Sequence, residues 1–169
     1  MMTMRKLATG ALVVGAALAA GCSGGLDALD PSTEITPKLA REIKAKGFNQ
    51  EDAVLVRIFK EESELEVWKR KASGEYALFK TYPICRWSGK LGPKKKIGDR
   101  QAPEGFYQVS MGLLNPKSQY YLSFNLGYPN RLESALGYTG EALMVHGACS
   151  SSGCYAMTDQ QIAELYPII

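Results

Sequence analysis

The spacing of apolar and polar positions predicts a domain built mainly of β-strands. Two β-rich runs at 53–60 and 64–70 are joined by a short polar link and predict a hairpin, and a third run at 76–84 follows a Ser-Gly turn. Further strands are predicted, in chain order, at 106–110, 120–124 and 142–146. Together these runs predict a mainly β domain with short helices.

Short helices are predicted where capping residues precede apolar positions. Thr36 and Pro37 have the residue types of an N-cap and of a first helical position. A second short helix is predicted at 130–135, and Thr158 with Gln161 has the spacing of a capping box that opens a third.

The segment 85–105 is predicted to be a long loop, because it is rich in glycine, proline and charged residues. Long loops in compact domains are often functional. Its one dense basic run, Lys94 to Lys96, lacks the interleaved aromatic residues of a nucleic-acid-binding surface. We therefore predict a solvated loop here and no nucleic-acid partner.

The N-terminus has the pattern of an export signal. Arg5 and Lys6 precede an apolar run that is too short to span a membrane, and the run ends in LAAGC, which resembles a bacterial lipobox with Cys22 as the lipidated residue. Serine rather than aspartate follows Cys22, a pattern typical of sorting to the outer membrane. The alternative is an ordinary secretory signal that is cut nearby.

These features divide the chain into three parts. We predict a lipoprotein-type signal peptide at 1–21, a tether at 22–35 and a single domain at 36–169. The predicted location of the protein is the periplasm, with an anchor in the outer membrane. Removing the signal lowers the formal net charge from +3 to +1, so the basic composition does not indicate a nucleic-acid partner.

The remaining cysteines change the interpretation of the C-terminal third. An exported domain folds in an oxidising compartment, where cysteines tend to pair. Cys85, Cys149 and Cys154 are an odd number, so at least one thiol is left unpaired.

The stretch MVHGACSSSGCYAMTD contains the only histidine of the chain, His146, eight positions before Cys154. A thiol at a glycine-containing turn beside an imidazole suits acyl transfer from an amide. Composition alone leaves two alternatives to this chemistry open, a structural role for His146 and a Cys149–Cys154 disulfide. The spacing of ligands that is typical of a zinc site is missing, so no metal is predicted.

The same stretch resembles the active-site motif of the L,D-transpeptidase catalytic (YkuD-type) domain family, and is closest to its YafK-like branch. Similar blocks cover most of the predicted mature chain, including GDRQAPEGFY and YYLSFNLGYPN. The resemblance implies a YkuD-like β-sandwich or mixed-sheet domain. It also implies a cysteine enzyme without a metal or organic cofactor.

The resemblance assigns roles to individual residues. Cys154 matches the acylated nucleophile and His146 the general base, while Gly147 would offer its carbonyl to the imidazole. The N–H groups of Gly153 and Cys154 would form the oxyanion hole. The residues around the nucleophile that are assigned to substrate binding are Ser151, Ser152 and Tyr155.

Two departures from the family pattern stand beside the nucleophile. Ser152 occupies the position of a second histidine in many relatives, and Tyr155-Ala156 replaces the usual Ile/Val-Arg. The missing arginine leaves the recognition of a substrate carboxylate open.

Cys85 and Cys149 are able to pair, which would hold the 85–105 loop against the active-site loop. That loop is expected to line the substrate cleft with the lysine run at its rim.

The resemblance implies peptidoglycan stem peptides as the substrate and partner. Cys154 would attack the amide that follows the third-position diamino acid, and the acyl group would pass to an amine or to water. The role of the protein would lie in cell-wall biogenesis or degradation and in cell shape. A wall-linked lipoprotein is a second candidate partner. The rival hypothesis is a non-catalytic, peptidoglycan-associated lipoprotein with a structural Cys149–Cys154 disulfide.

Lipidation at Cys22 is directly testable. When the protein is expressed with its own signal in a Gram-negative host, it should incorporate labelled fatty acid, and Cys22→Ala should abolish the incorporation, because the thiol is the acceptor. Labelling followed by gel analysis measures this. Label that persists in Cys22→Ala would contradict the prediction.

Overall fold

A computed structural model of the protein describes residues 33–169, and in this region the chain forms two β-sheets with short helices around them. The predicted signal peptide and most of the predicted tether lie outside the described residues. Among residues 33–169, no helix combines the length and the apolar character needed to cross a membrane. The predicted fold class, mainly β with short helices, is confirmed.

The first sheet is formed by two consecutive hairpins. Its strands, in the order β1-β2-β3 and all antiparallel, are β1 (Val54–Phe59), β2 (Glu64–Arg70) and β3 (Tyr76–Pro83). The predicted hairpin and the predicted third strand are therefore confirmed. Alternate residues of β2, beginning with Leu65 and Val67, are fully buried, so one face of this sheet contributes to the core.

The second sheet is mixed and carries the motif. Its strands are β4 (Arg86–Trp87), β5 (Leu114–Ser118), β6 (Tyr121–Asn125), β7 (Met144–His146) and β8 (Tyr155–Ala156). They lie in the order β4-β8-β7-β6-β5, and only the β7–β8 pair is parallel within the described region. The strands predicted at 120–124 and 142–146 are confirmed as β6 and β7.

One predicted strand is absent from the structure, and the strands β4, β5 and β8 were not predicted. The segment 106–110 is extended, with Tyr107 and Val109 half buried between exposed neighbours, but it is not a strand. A groove of about 820 Å³ separates it from the edge strand β1, so its backbone lacks a ladder partner. β5 was not predicted because it contains Pro116, and prolines are confined to edge strands such as this one.

The three predicted helices are confirmed. The helix α1 (Pro37–Ala45) has Thr36 as its N-cap, and the Thr36 side chain accepts a hydrogen bond from the Leu39 N–H. Complete capping boxes open α2 (Arg131–Ala135) and α3 (Asp159–Leu165). Helix α3 buries Ile162 and Leu165 in the core directly after the motif.

The predicted loop 85–105 contains the two-residue strand β4, and side chains bond the backbone of its remaining part. The Lys60 ammonium, which is almost fully buried, donates to the Gly92 carbonyl at 3.0 Å and lies 2.9 Å from the Glu104 carboxylate. The Gln101 amide also donates to the Gly92 carbonyl, at 2.8 Å. These contacts replace the missing ladder hydrogen bonds and give the loop a defined shape.

A disulfide between Cys85 and Cys149 ties this loop to the motif. The two Cα atoms are 5.4 Å apart and the bond closes a span of 64 residues. The Cys85 N–H also donates to the Ala156 carbonyl at 2.9 Å, which fixes the start of the loop against β8. The bridge therefore attaches the segment that precedes Cys154 to the second sheet.

Removing this bridge should lower stability. The double variant Cys85→Ser/Cys149→Ser should lose about 2 to 4 kcal/mol of free energy of unfolding, because the cross-link restricts the unfolded chain over a long span. Urea unfolding followed by tryptophan fluorescence measures the change. Cys154→Ala is the matched control and should cost less, and equal losses in both proteins would contradict the role of the bridge.

Candidate active site

The parallel pairing of β7 and β8 brings the histidine and the thiol to one face of the second sheet. Val145 pairs with Tyr155 and His146 with Ala156, so Cys154 lies immediately before the paired part of β8. Side chains alternate between the two faces of a strand. Cys154 and Ala156 therefore share the face of His146, while Val145 and Tyr155 point to the opposite face.

His146 is oriented by the carbonyl of the next residue. Its Nδ1 lies 2.7 Å from the Gly147 oxygen, and because a carbonyl can only accept, Nδ1 carries the proton and Nε2 is left as an acceptor. The Tyr120 ring packs on the imidazole with 4.6 Å between centroids. Burial lowers the pKa of His146 below its ordinary value of 6.5, although the bond to Gly147 opposes that shift. The imidazole is therefore neutral at pH 7.

Only glycine fits at position 147. A Cβ there would lie 2.6 Å from the Asp159 carboxylate and 2.9 Å from the Tyr120 carbonyl oxygen. The Gly147 N–H donates to the Tyr120 and Leu122 carbonyls at the start of the neighbouring strand β6. This close packing places the Gly147 carbonyl where the imidazole can reach it, as the sequence analysis expected of this residue.

Cys154 is the free cysteine among residues 33–169, and its side chain is partly exposed. Burial raises the pKa of the Cys154 thiol above its ordinary value of 9.0, against smaller opposing effects from the Met144 N–H and the Lys94 ammonium. The resting site therefore contains a protonated thiol and a neutral imidazole. Thiolate formation at neutral pH would therefore require transfer of the Cys154 proton to a base.

The loop before the nucleophile is bonded to itself through Ser151. The Ser151 hydroxyl donates to the Cys154 carbonyl at 2.6 Å and accepts from the Cys154 N–H at 3.1 Å. The Ser151 hydroxyl therefore holds the turn, and its assignment to substrate binding stays a prediction. The Cys154 N–H, expected in the oxyanion hole, is bonded to Ser151 here, while Gly153 supplies the positive φ of 121° that the turn needs.

The position of Tyr155 in the core contradicts its assignment to substrate binding. It is 3% exposed, belongs to the core and donates its hydroxyl to the Pro103 carbonyl at 2.6 Å. It points away from the Cys154 face, so its expected contact with substrate is wrong. Ser152, in contrast, is exposed and lies in the pocket of the nucleophile.

The thiol opens into a pocket of about 400 Å³. The lining residues come from the 85–105 loop, from the segment before β7 and from the motif, and they are Lys94, Ile97, Gly98, Arg100, Gly140, Glu141, Ala142, Leu143, Ser152, Gly153 and Cys154. The loop therefore lines this pocket. Lys94 was expected on a solvated rim, but it is 4% exposed, and its ammonium lies 2.5 Å from the Asp99 carboxylate.

Two residues beside His146 were missed by the sequence analysis. Ser123 lies directly opposite His146 on β6, is fully buried, and has the one buried side-chain oxygen without a partner in the described part of the chain. Asp159 accepts from the Ala148 N–H at 2.8 Å and so holds the loop after Gly147. The serine was detectable as a polar residue inside the apolar run YYLSF.

Comparison with known proteins gives the family. A family model described as the L,D-transpeptidase catalytic domain, YkuD, matches residues 22–169. The proteins named "Putative L,D-transpeptidase YafK" from Escherichia coli K12 and O157:H7 are each 41% identical over 166 residues, which is 98% of this chain and 64% of theirs. The chain thus spans less than two thirds of the length of these curated relatives.

Solved structures agree on the fold. A variant of the helical cell shape determining protein Pgp2 from Campylobacter jejuni aligns with a TM-score of 0.59 and 23% identity, over 83% of this chain and 53% of that one. Bd1075 from Bdellovibrio bacteriovorus aligns with a TM-score of 0.51 and 22% identity, over 70% of this chain and 44% of that one. On the match of its sequence from residue 22 to 169, the chain belongs to the L,D-transpeptidase catalytic domain family, YkuD.

Proposed function

We propose that the protein is an exported cysteine acyl-transfer enzyme that acts on peptidoglycan stem peptides. The observation that carries this proposal is the arrangement of the site: a free thiol, Cys154, shares one sheet face with a neutral His146 whose Nε2 is open to accept a proton. Membership of the L,D-transpeptidase family supports this substrate class.

The proposed reaction begins at the amide that follows the third-position diamino acid, meso-diaminopimelate. His146 Nε2 takes the proton of Cys154 while Sγ attacks the amide carbon. The C–N bond then breaks, the imidazolium returns the proton to the leaving amine, and a thioester remains on Cys154. An acceptor amine completes transpeptidation and water completes hydrolysis. Either nucleophile loses a proton to His146, and the thiol is restored.

The developing oxyanion needs N–H donors close to the thiol. Gly153 and Cys154 are the proposed donors, and the Cys154 N–H becomes available when its bond to the Ser151 hydroxyl is shared with the substrate oxygen or broken. Because Gly153 adopts a φ of 121°, a side chain at this position would strain the turn. Ser152, exposed in the pocket, is proposed to contact the stem peptide.

The proposed setting is the periplasmic face of the cell wall, reached through the lipid anchor at Cys22. Pgp2, which shares the fold, is named a helical cell shape determining protein, and this supports a role in wall remodelling and cell shape. Within that role we propose two targets, the stem peptide itself and the amide that links a small lipoprotein to the wall.

The pairing of Cys149 with Cys85 in the structure supports the enzyme over the non-catalytic lipoprotein. That rival requires a Cys149–Cys154 disulfide, which would consume the nucleophile. Mapping the position of the free thiol in the oxidised protein separates the two hypotheses, since the enzyme leaves Cys154 free and the rival leaves Cys85 free.

The pKa directions predict how the thiol responds to pH. Because the pKa of Cys154 is raised, alkylation by iodoacetamide should accelerate from neutral pH to at least pH 9.0, without the neutral plateau of a preformed ion pair. Urea-unfolded protein should react faster at neutral pH, since exposure removes the shift. The lowered pKa of His146 keeps the imidazole neutral, and able to accept a proton, below pH 6.5. Turnover should therefore persist below that pH. Mass spectrometry measures the adduct, and a neutral plateau would contradict this resting state.

The catalytic pair is tested on purified sacculi. Cys154→Ala should abolish the change in muropeptides, and His146→Ala should slow it by about 10²- to 10⁴-fold, because positioned proton transfer contributes on that scale. Ser150→Ala, an exposed change in the same loop, is the matched control and should retain activity. Liquid chromatography with mass spectrometry measures the products. Wild-type activity in Cys154→Ala would overturn the proposed function.

A further inference from the structure

The position that follows the nucleophile offers no cation to a substrate carboxylate. Tyr155 and Ala156, the two residues after Cys154, are uncharged and buried, and Tyr155 points to the opposite face from the thiol. The third-position diaminopimelate of the proposed substrate nevertheless ends in a carboxylate and an ammonium on one carbon. Charged groups that recognise this end must therefore come from elsewhere in the pocket.

The pocket of Cys154 contains two charged side chains of opposite sign that are free to bind. Arg100 and Glu141 both line it, and within residues 33–169 neither takes part in an ion pair or donates or accepts a side-chain hydrogen bond. Lys94 also lines the pocket, but its ammonium is committed to the Asp99 carboxylate and to the Lys96 carbonyl. The unpaired charges facing this space are thus one guanidinium and one carboxylate.

Arg100 is presented by a backbone that is held in place. Its φ of 54° lies in the left-handed region, which costs energy for a residue with a side chain. The Ser88 hydroxyl donates to the Arg100 carbonyl at 2.8 Å, and the next residue, Gln101, donates its N–H to Asp99 at 3.0 Å. The bonds around Arg100 maintain this conformation and leave its side chain unbonded in the pocket.

Glu141 lies on the segment before β7, and contacts of that segment with Lys94 and with the 85–105 loop fix its position. It follows Gly140, where a Cβ would lie 2.7 Å from the Lys94 side chain, so the buried Lys94 packs against a backbone that must be glycine. The Thr139 hydroxyl accepts from the Ile97 N–H at 3.1 Å, which joins this segment to the loop that carries Arg100. The two charged residues therefore lie on segments that are bonded to each other.

We propose that Arg100 and Glu141 form the specificity site for the zwitterionic end of the diaminopimelate side chain. Arg100 binds the terminal carboxylate, for which a guanidinium provides paired donors, and Glu141 binds the neighbouring ammonium. This inference rests on the proposed function and deepens it. Lys94 and Asp99 act as positioning residues, because they hold the loop without facing the substrate as free charges.

The test compares synthetic peptides that differ only at this end. The first is L-Ala-γ-D-Glu-meso-diaminopimelate-D-Ala. In the second, L-lysine replaces diaminopimelate and removes only the terminal carboxylate. In the third, the terminal amine of diaminopimelate is acetylated. Calorimetry on Cys154→Ala protein gives each Kd without turnover, and the proteins that retain Cys154 give KM and kcat separately.

Loss of each charge should affect a different pair of peptides. Arg100→Asn, which tolerates a left-handed φ, should weaken binding of the diaminopimelate and acetylated peptides by about 10-fold or more and leave the lysine peptide unchanged. Glu141→Gln should weaken the diaminopimelate and lysine peptides and leave the acetylated one unchanged. KM should carry the effect while kcat stays similar. Arg100→Lys should restore part of the affinity.

Lys95→Gln is the matched control, because it removes the same charge from an exposed position in the same loop that does not line the pocket. It should leave all three affinities unchanged. If Arg100→Asn weakens every peptide equally, or none, the inference is overturned while the proposed function stands. If Cys154→Ala protein with both charges intact binds none of the peptides, the proposed function fails and the inference with it.

Discussion

The parallel pairing of β7 with β8 is the constraint on which the site depends. Parallel neighbours usually require a crossover of about a dozen residues or more, because the chain must return to the start of the next strand. Here only residues 147–154 make that return. The short connection forces positive φ at Ala148, Cys149 and Gly153. Two sets of hydrogen bonds hold these conformations. The Ala148 N–H donates to the Asp159 carboxylate, and the Ser151 hydroxyl bonds the backbone of Cys154.

This short return also determines the electrostatics of the pair. Because the loop closes tightly over the end of β7, His146 is only 2% exposed and its charged form is disfavoured. The thiol experiences the same partial desolvation, so neither group is ionised at rest. In the proposed reaction the neutral pair would become charged only during proton transfer, when bound substrate has displaced water and N–H donors compensate the charge.

The sequence predicted the parts of the fold that depend on neighbours in the chain. The hairpin from 53 to 70 and the capping boxes at Asn130 and Thr158 are local, and the motif places His146 and Cys154 within eight residues. The unpaired state of 106–110 was not predictable, because strand formation there depends on the distance to β1. Lys94 appeared solvated because its burial depends on Asp99 and on the distant Gly140. Tyr155 was misassigned because β8 had not been recognised, and strand alternation then turns it away from Cys154.

The Cys85–Cys149 bridge has a consequence for the order of oxidation during maturation. Among residues 33–169 the reduced chain has three thiols, and Cys149 is separated from Cys154 by only five positions but from Cys85 by 64. Closing a short loop costs less chain entropy, so random oxidation favours the local pair, which would sequester Cys154, the proposed nucleophile. The native bridge therefore depends on the second sheet forming before oxidation is complete. A premature local disulfide would leave Cys154 blocked until thiol exchange released it.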